Sequence, residues 1–206
     1  MSRSRFAVTA FLLLGATLGL IAWASYAVVV LHDASLHAEN GVLENTQALV
    51  LAASCIAFIV PTVRGQRTDK VILLFCAVLC LAFVLREVDV EYFDVHDAIK
   101  LIGSGAGRNI VLGAAFLALI GYALFHYAYY KHAAIAFLRA RPGRLLIAGG
   151  ILVVCGDGFE KLAAVPYHDY AEEALELVGY VFILLAALCT NGFFSAPRPP
   201  PPARHS

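Results

Sequence analysis

Six carboxylates, Glu44, Glu87, Asp157, Glu160, Glu173 and Glu176, stand inside or at the edges of long apolar runs. A charged carboxylate costs up to about 2.5–3.5 kcal/mol at the centre of a bilayer and less toward its surface, so such side chains face the protein interior and find partners. Brought together, like charges cannot all stay ionised; they share protons or hold a cation. Oxygen ligands with an occasional imidazole suit a hard or borderline divalent ion, Mg²⁺, Ca²⁺, Mn²⁺ or Zn²⁺. These six residues are the predicted ligands of a site for a divalent metal ion or for protons.

Asp157 is the thirteenth residue of an apolar run that begins near Leu145. At about 1.5 Å per residue it lies about 18 Å into a hydrocarbon core of about 30 Å. Lys161 follows Asp157 at i+4, the favourable order for a local ion pair, whereas Glu160 has no such neighbour. Glu44 and Gln47 open another apolar run one turn apart, with Ser54 on the face of Gln47 at i+7. Glu172, Glu173 and Glu176 open a third run. The positive end of a helix dipole accounts for acids in a first turn. It does not account for Glu87, Asp89 and Glu91, beside Arg86, or for Asp157 and Glu160, which fall at helix C-termini where the dipole disfavours carboxylates. Glu87, Glu91 and Asp94 also fall at i, i+4 and i+7, one face of a helix continued outward. The competing reading is a solvated acidic rim with Arg86 and Lys161 as counter-ions.

The elements that must position these groups are transmembrane helices. The 206 residues are 61% hydrophobic and 15% charged, with a mean hydropathy of +0.78. A soluble domain is about 45–50% apolar and about 25% charged. Crossing hydrocarbon takes about 20 mainly apolar residues, and six stretches qualify: Phe6–Leu31, Leu43–Val63, Val71–Val90, Ile110–Tyr130, Leu145–Val165 and Ala171–Phe194. None alternates as a barrel strand does. The predicted fold is an all-α, six-helix bundle over residues 1–195, followed by a Pro-rich tail at 196–206 that is extended and solvated. The first run continues well past the 7–15 residues of a signal h-region, so it is expected to stay as a helix despite the Ala22-Trp23-Ala24 sequence within it.

Fifteen Lys and Arg balance fifteen Asp and Glu, and no net basic field points to nucleic acid. With the N-terminus inside, Arg3, Arg5, Arg64, Arg67, Lys70, Lys131, Arg139, Arg141, Arg144, Arg198 and Arg204 fall on the cytoplasmic side, leaving only Arg86, Lys100, Arg108 and Lys161 outside. Both termini are therefore expected in the cytoplasm. The acids sort the other way: of the fifteen, only Asp69 is inside, and His32, His37, His96 and His168 lie with the outer fourteen. Size, compact loops and this bias point to a bacterial inner membrane.

Other patterns carry less. Cys55, Cys76, Cys80, Cys155 and Cys189 all fall within spans, so no outer disulfide framework exists to read. Gly103, Gly105 and Gly107 are followed by Arg108 where a dinucleotide fingerprint needs glycine, and they follow no strand. His126 sits among Tyr122, Tyr127, Tyr129 and Tyr130, an interfacial aromatic belt. Gly15 and Gly19 form one GxxxG, expected to pack a neighbouring helix closely or to form an oligomer contact. There is no GxSxG, HExxH or P-loop. Three functions remain open: an outward-facing site binding a cation or protons for transport, a metal-dependent hydrolase acting on a lipid or envelope precursor at the outer leaflet, and a non-catalytic assembly protein.

Overall fold

Long runs of Leu, Val, Ala and Phe that lack alternation have nowhere to place their backbone polar groups except in helices. The computed structural model describes residues 3–32, 41–64, 70–88, 96, 100, 103–161 and 166–193. Among them every regular element is an α-helix: α1 Arg3–Val30, α2 Val42–Arg64, α3 Lys70–Glu87, α4 Gly105–Phe125, α5 Tyr127–Arg139, α6 Arg141–Glu160 and α7 His168–Phe193. Five of these, α1, α2, α4, α6 and α7, are long and apolar enough to cross a membrane. This is the make-up of a multi-pass membrane protein. The expected third span, Val71–Val90, corresponds to α3, which falls outside that set because its 18 residues include Lys70, Arg86 and Glu87.

The fourth span differs from expectation. The stretch Ile110–Tyr130 is not one helix: α4 starts earlier, at Gly105, and ends at Phe125, where His126 breaks the backbone at φ −114° and ψ 37°. Tyr127–Tyr130 belong to α5, which the extended Ala140 separates from α6, with Pro142 in the first turn of α6. The chain becomes markedly less apolar beyond the break, which therefore coincides with the end of the strongly apolar run. The first run is one uninterrupted helix, but Gly15 and Gly19 meet nothing within 4 Å, which corrects the expectation that they pack closely against another helix of the chain. The Glu91 and Asp94 positions and the Pro-rich tail lie outside the described residues.

Helix α7 is the axis of the bundle. Of its membrane-length window 61% is buried, against 0% for α4, and it packs against α6, α2 and α1. Helix α4 touches only the neighbouring α3 and α5 to any extent and leaves Ile110, Leu117 and Leu124 exposed, a surface suited to lipid and costly in water. Helix α1 runs antiparallel to α7: Tyr170 bonds Ser25 Oγ at 2.6 Å and donates to the Ile21 carbonyl at 2.8 Å, while Phe6 packs with Val181 and Leu185 at the other end. Arg141 stacks 4.0 Å over the Phe6 ring there.

The middle of the bundle is apolar. Leu51, Phe58, Leu73, Cys76, Cys80, Tyr180 and Ile183 join in one buried cluster. Two helices cross inside it at van der Waals contact. A Cβ added at Gly149 of α6 would lie 2.6 Å from the Gly179 carbonyl of α7, and one at Gly179 would lie 2.8 Å from the Gly149 carbonyl. Only glycine permits that approach. It brings α6 and α7 together just below the end of the bundle where the carboxylates gather.

Candidate functional site

Four helix ends converge at this acidic end: the starts of α2 and α7 and the finishes of α3 and α6. Residues of α7 at i, i+4, i+7, i+8 and i+11 share a stripe. Glu172, Glu176, Gly179, Tyr180 and Ile183 follow that spacing, and Gly149 and Gly156 of α6 meet this stripe. A Cβ at Gly156 would stand 2.9 Å from Glu176 Cγ and 3.2 Å from the Glu172 carbonyl, so glycine lets α6 approach the acids themselves. Asp157 follows it directly. Oxygens of Asp157, Glu172 and Glu176 all lie within 4.8 Å of one another.

Arg86 from α3 closes the group. Its Nη1 donates to Asp157 Oδ1 at 3.1 Å, its Nη2 bonds Glu176 Oε1, and its Nε lies 3.3 Å from Glu87 Oε1. Glu87 also accepts the Tyr180 hydroxyl at 2.8 Å. One guanidinium thus answers three carboxylates from three helices. The Glu176 and Glu87 side chains are 2% and 5% exposed, whereas those of Arg86 and Asp157 are 40% and 44% exposed. The site is a buried floor of Glu87, Glu176 and Tyr180 beneath a wetter rim. Arg108 holds α3 in place by donating to the Leu85 carbonyl at 2.5 Å, at a helix end whose last carbonyls lack intrahelical partners.

A second polar contact lies on the α2 side of α7. Gln47, fully buried, donates Nε2 to both the Glu173 carbonyl at 2.9 Å and Glu173 Oε2 at 2.7 Å. Its Oε1 is buried with no hydrogen-bond partner among the described residues. Glu173 lies within electrostatic reach of Glu87, Glu44 and Glu172. Glu44, half-buried one turn before Gln47, therefore belongs to this side.

Of the residues expected to converge, Asp157, Glu176 and Glu87 meet through Arg86, while Glu173 turns toward Gln47. The helix reaches Glu160, but its side chain lies outside the described atoms. The expected Asp157–Lys161 ion pair is corrected: Asp157 pairs with Arg86, and Lys161 is exposed at the end of α6. Glu172 enters the group in place of its neighbour Glu173. Its signal was in the sequence, because Glu172 and Glu176 are i,i+4 and Glu173 is one residue off that face. Tyr180 extends the same stripe by one more turn.

Compared with known proteins, the chain matches no family model, no curated protein and no solved structure.

Proposed function

We propose that the acidic end is a cation-binding site facing out of the cell, in which a divalent ion sits between Asp157, Glu172 and Glu176 and displaces Arg86 from Asp157 and Glu176. The observation carrying this reading is the 4.8 Å spread of the three carboxylates. Ca²⁺ binds oxygen at about 2.3–2.6 Å, so two oxygens on opposite sides of it stand about 4.6–5.2 Å apart; Mg²⁺, at about 2.0–2.1 Å, needs the group to close further. The excess of acid over base at the site leaves a cation attracted even with Arg86 in place. Outward orientation rests on the positive-inside bias, with both termini cytoplasmic and α3 as a sixth crossing in the bacterial inner membrane.

The layer beneath the site favours a blind pocket over a path through one chain. Ser54 donates to the Val50 carbonyl and Thr190 to the Ala187 carbonyl within their own helices, and Cys55 donates across to the Ala77 carbonyl of α3, so these polar groups are satisfied by backbone and hand nothing onward. Around them lie Leu51, Phe58 and Leu73.

Titrating the detergent-purified protein with Mn²⁺, followed by electron paramagnetic resonance, tests the reading. One ion per chain is expected. Glu176→Gln and Asp157→Asn, each removing one charged ligand, should weaken binding by about tenfold or more, about 1.4 kcal/mol or more. Equal binding by all three proteins, or none by any, overturns it.

One atom favours protons as a second occupant. The buried Gln47 Oε1 lacks a donor among the described residues, and a protonated carboxyl beside it supplies one. The expected result is a protonated-carboxyl C=O stretch in the infrared spectrum that Glu173→Gln removes. If that band is missing, or survives the substitution, Glu173 is not the proton carrier.

A further inference from the structure

The opposite end of the bundle carries a separate feature. A groove of about 380 Å³ opens between α3, α4, α5 and α6, walled by Val71, Phe75, Leu119, Ala123, Ala134 and Leu146. Its lining is almost wholly apolar, and at its edge stand Tyr127, Tyr130 and the exposed Lys131, whose ammonium lies 5.7 Å from the centre of the Tyr127 ring. Every described carboxylate side chain lies toward the other end of the bundle, whereas this end collects Lys70, Lys131, Arg139, Arg141 and Arg144.

Three properties identify the occupant. An apolar cleft of this kind stays dry and takes hydrocarbon. It lies between helices that face lipid, so the hydrocarbon at hand is an acyl chain. A lysine at the rim, with no described carboxylate beside it, complements an anionic headgroup; basic pockets between spanning helices hold such headgroups at the cytoplasmic surface. Lys131 can lay its stem along the apolar wall and keep its ammonium at the headgroup level, while the tyrosine hydroxyls offer the phosphate further donors. We infer that this groove is a binding site for one anionic glycerophospholipid, its acyl chain between α3 and α4 and its phosphate on Lys131.

Native mass spectrometry of the full chain in detergent, titrated with phosphatidylglycerol or phosphatidylcholine, tests the site. The expected result is one phosphatidylglycerol per chain, bound at least about fivefold more tightly than phosphatidylcholine. Lys131→Gln should remove that preference by weakening phosphatidylglycerol about fivefold, the effect of one basic residue near an anionic headgroup. Ala123→Trp fills the groove and should abolish the stoichiometric lipid with Lys131 intact, and an unchanged helical circular-dichroism spectrum shows that the variant has folded. Equal binding of the two lipids reduces the groove to a hydrocarbon slot and overturns the headgroup assignment. Undiminished phosphatidylglycerol in Ala123→Trp overturns the groove itself.

Discussion

Arg86→Gln is expected to lower the stability of the metal-free protein by about 2–3 kcal/mol and, at the same time, to tighten binding of a divalent ion. The first half follows from burial. Glu176 and Glu87 are almost fully enclosed, and Arg86 is the cation bonded to both. Removing one partner of a buried pair costs about 3–5 kcal/mol because the other charge is stranded. The Arg86 side chain is 40% exposed, so water enters after its loss and the cost falls below that range. A loss of this size lowers the melting temperature by roughly 5–10 °C. The second half follows from competition. A metal ion at Asp157 and Glu176 must take over oxygens that Arg86 now holds. With glutamine there, the ion meets the full acid group unopposed. Thermal unfolding of both proteins with and without Ca²⁺ separates two roles for this arginine. As a stand-in for the ion, its loss is repaired by Ca²⁺, and the variant gains more from the ion than the wild type does. As a structural clamp alone, its loss is not repaired, and the cation reading fails with it.

The same arginine shows where local sequence patterns stop being informative. Helices and their membrane character were legible because hydrophobicity accumulates along a run and needs no knowledge of neighbours. The gathering of acids at one end was legible for the same reason. Pairing was not. The i,i+4 spacing of Asp157 and Lys161 is a strong local cue. Yet α6 is held so close to α7 at Gly149 and Gly156 that Asp157 comes within reach of Arg86, 71 positions away in the chain. A residue-by-residue reading weighs Arg86 as a counter-ion without finding its three partners, since those come from its own helix, α6 and α7. For packing within the chain, the glycines misled in a related way. Gly15 and Gly19 have the spacing of a packing motif and face open space, whereas the working contact pairs one glycine from each of two helices and leaves no motif in either. The helix break at His126 was missed for a third reason: the tyrosines around it read as an interfacial belt closing one span, although the chain becomes less apolar beyond it.

The crossing of α6 and α7 carries the other large expected effect. Gly149→Ala places a methyl group 2.6 Å from the Gly179 carbonyl oxygen and 2.9 Å from Ile183 Cγ1. The first of these is backbone, which cannot rotate away, so the helices must part or tilt. Overpacking of this kind costs about 1–3 kcal/mol for a methyl group and more for a larger side chain. Alanine's better helix propensity returns at most about 1 kcal/mol. Gly150→Ala is the matched control: it adds the same methyl one residue on, where nothing lies within 4 Å, and gains the propensity without a clash. The two variants should therefore melt on opposite sides of the wild type in detergent, Gly150→Ala slightly above and Gly149→Ala well below. The effect extends to the site, because Asp157 and Glu176 stand on the two helices being separated. Gly149→Ala should weaken Mn²⁺ binding although it removes no ligand, whereas Gly150→Ala should leave it unchanged. A Gly149→Ala protein that melts and binds like Gly150→Ala would show that the crossing is looser than its geometry, and that the carboxylates do not depend on it for their spacing.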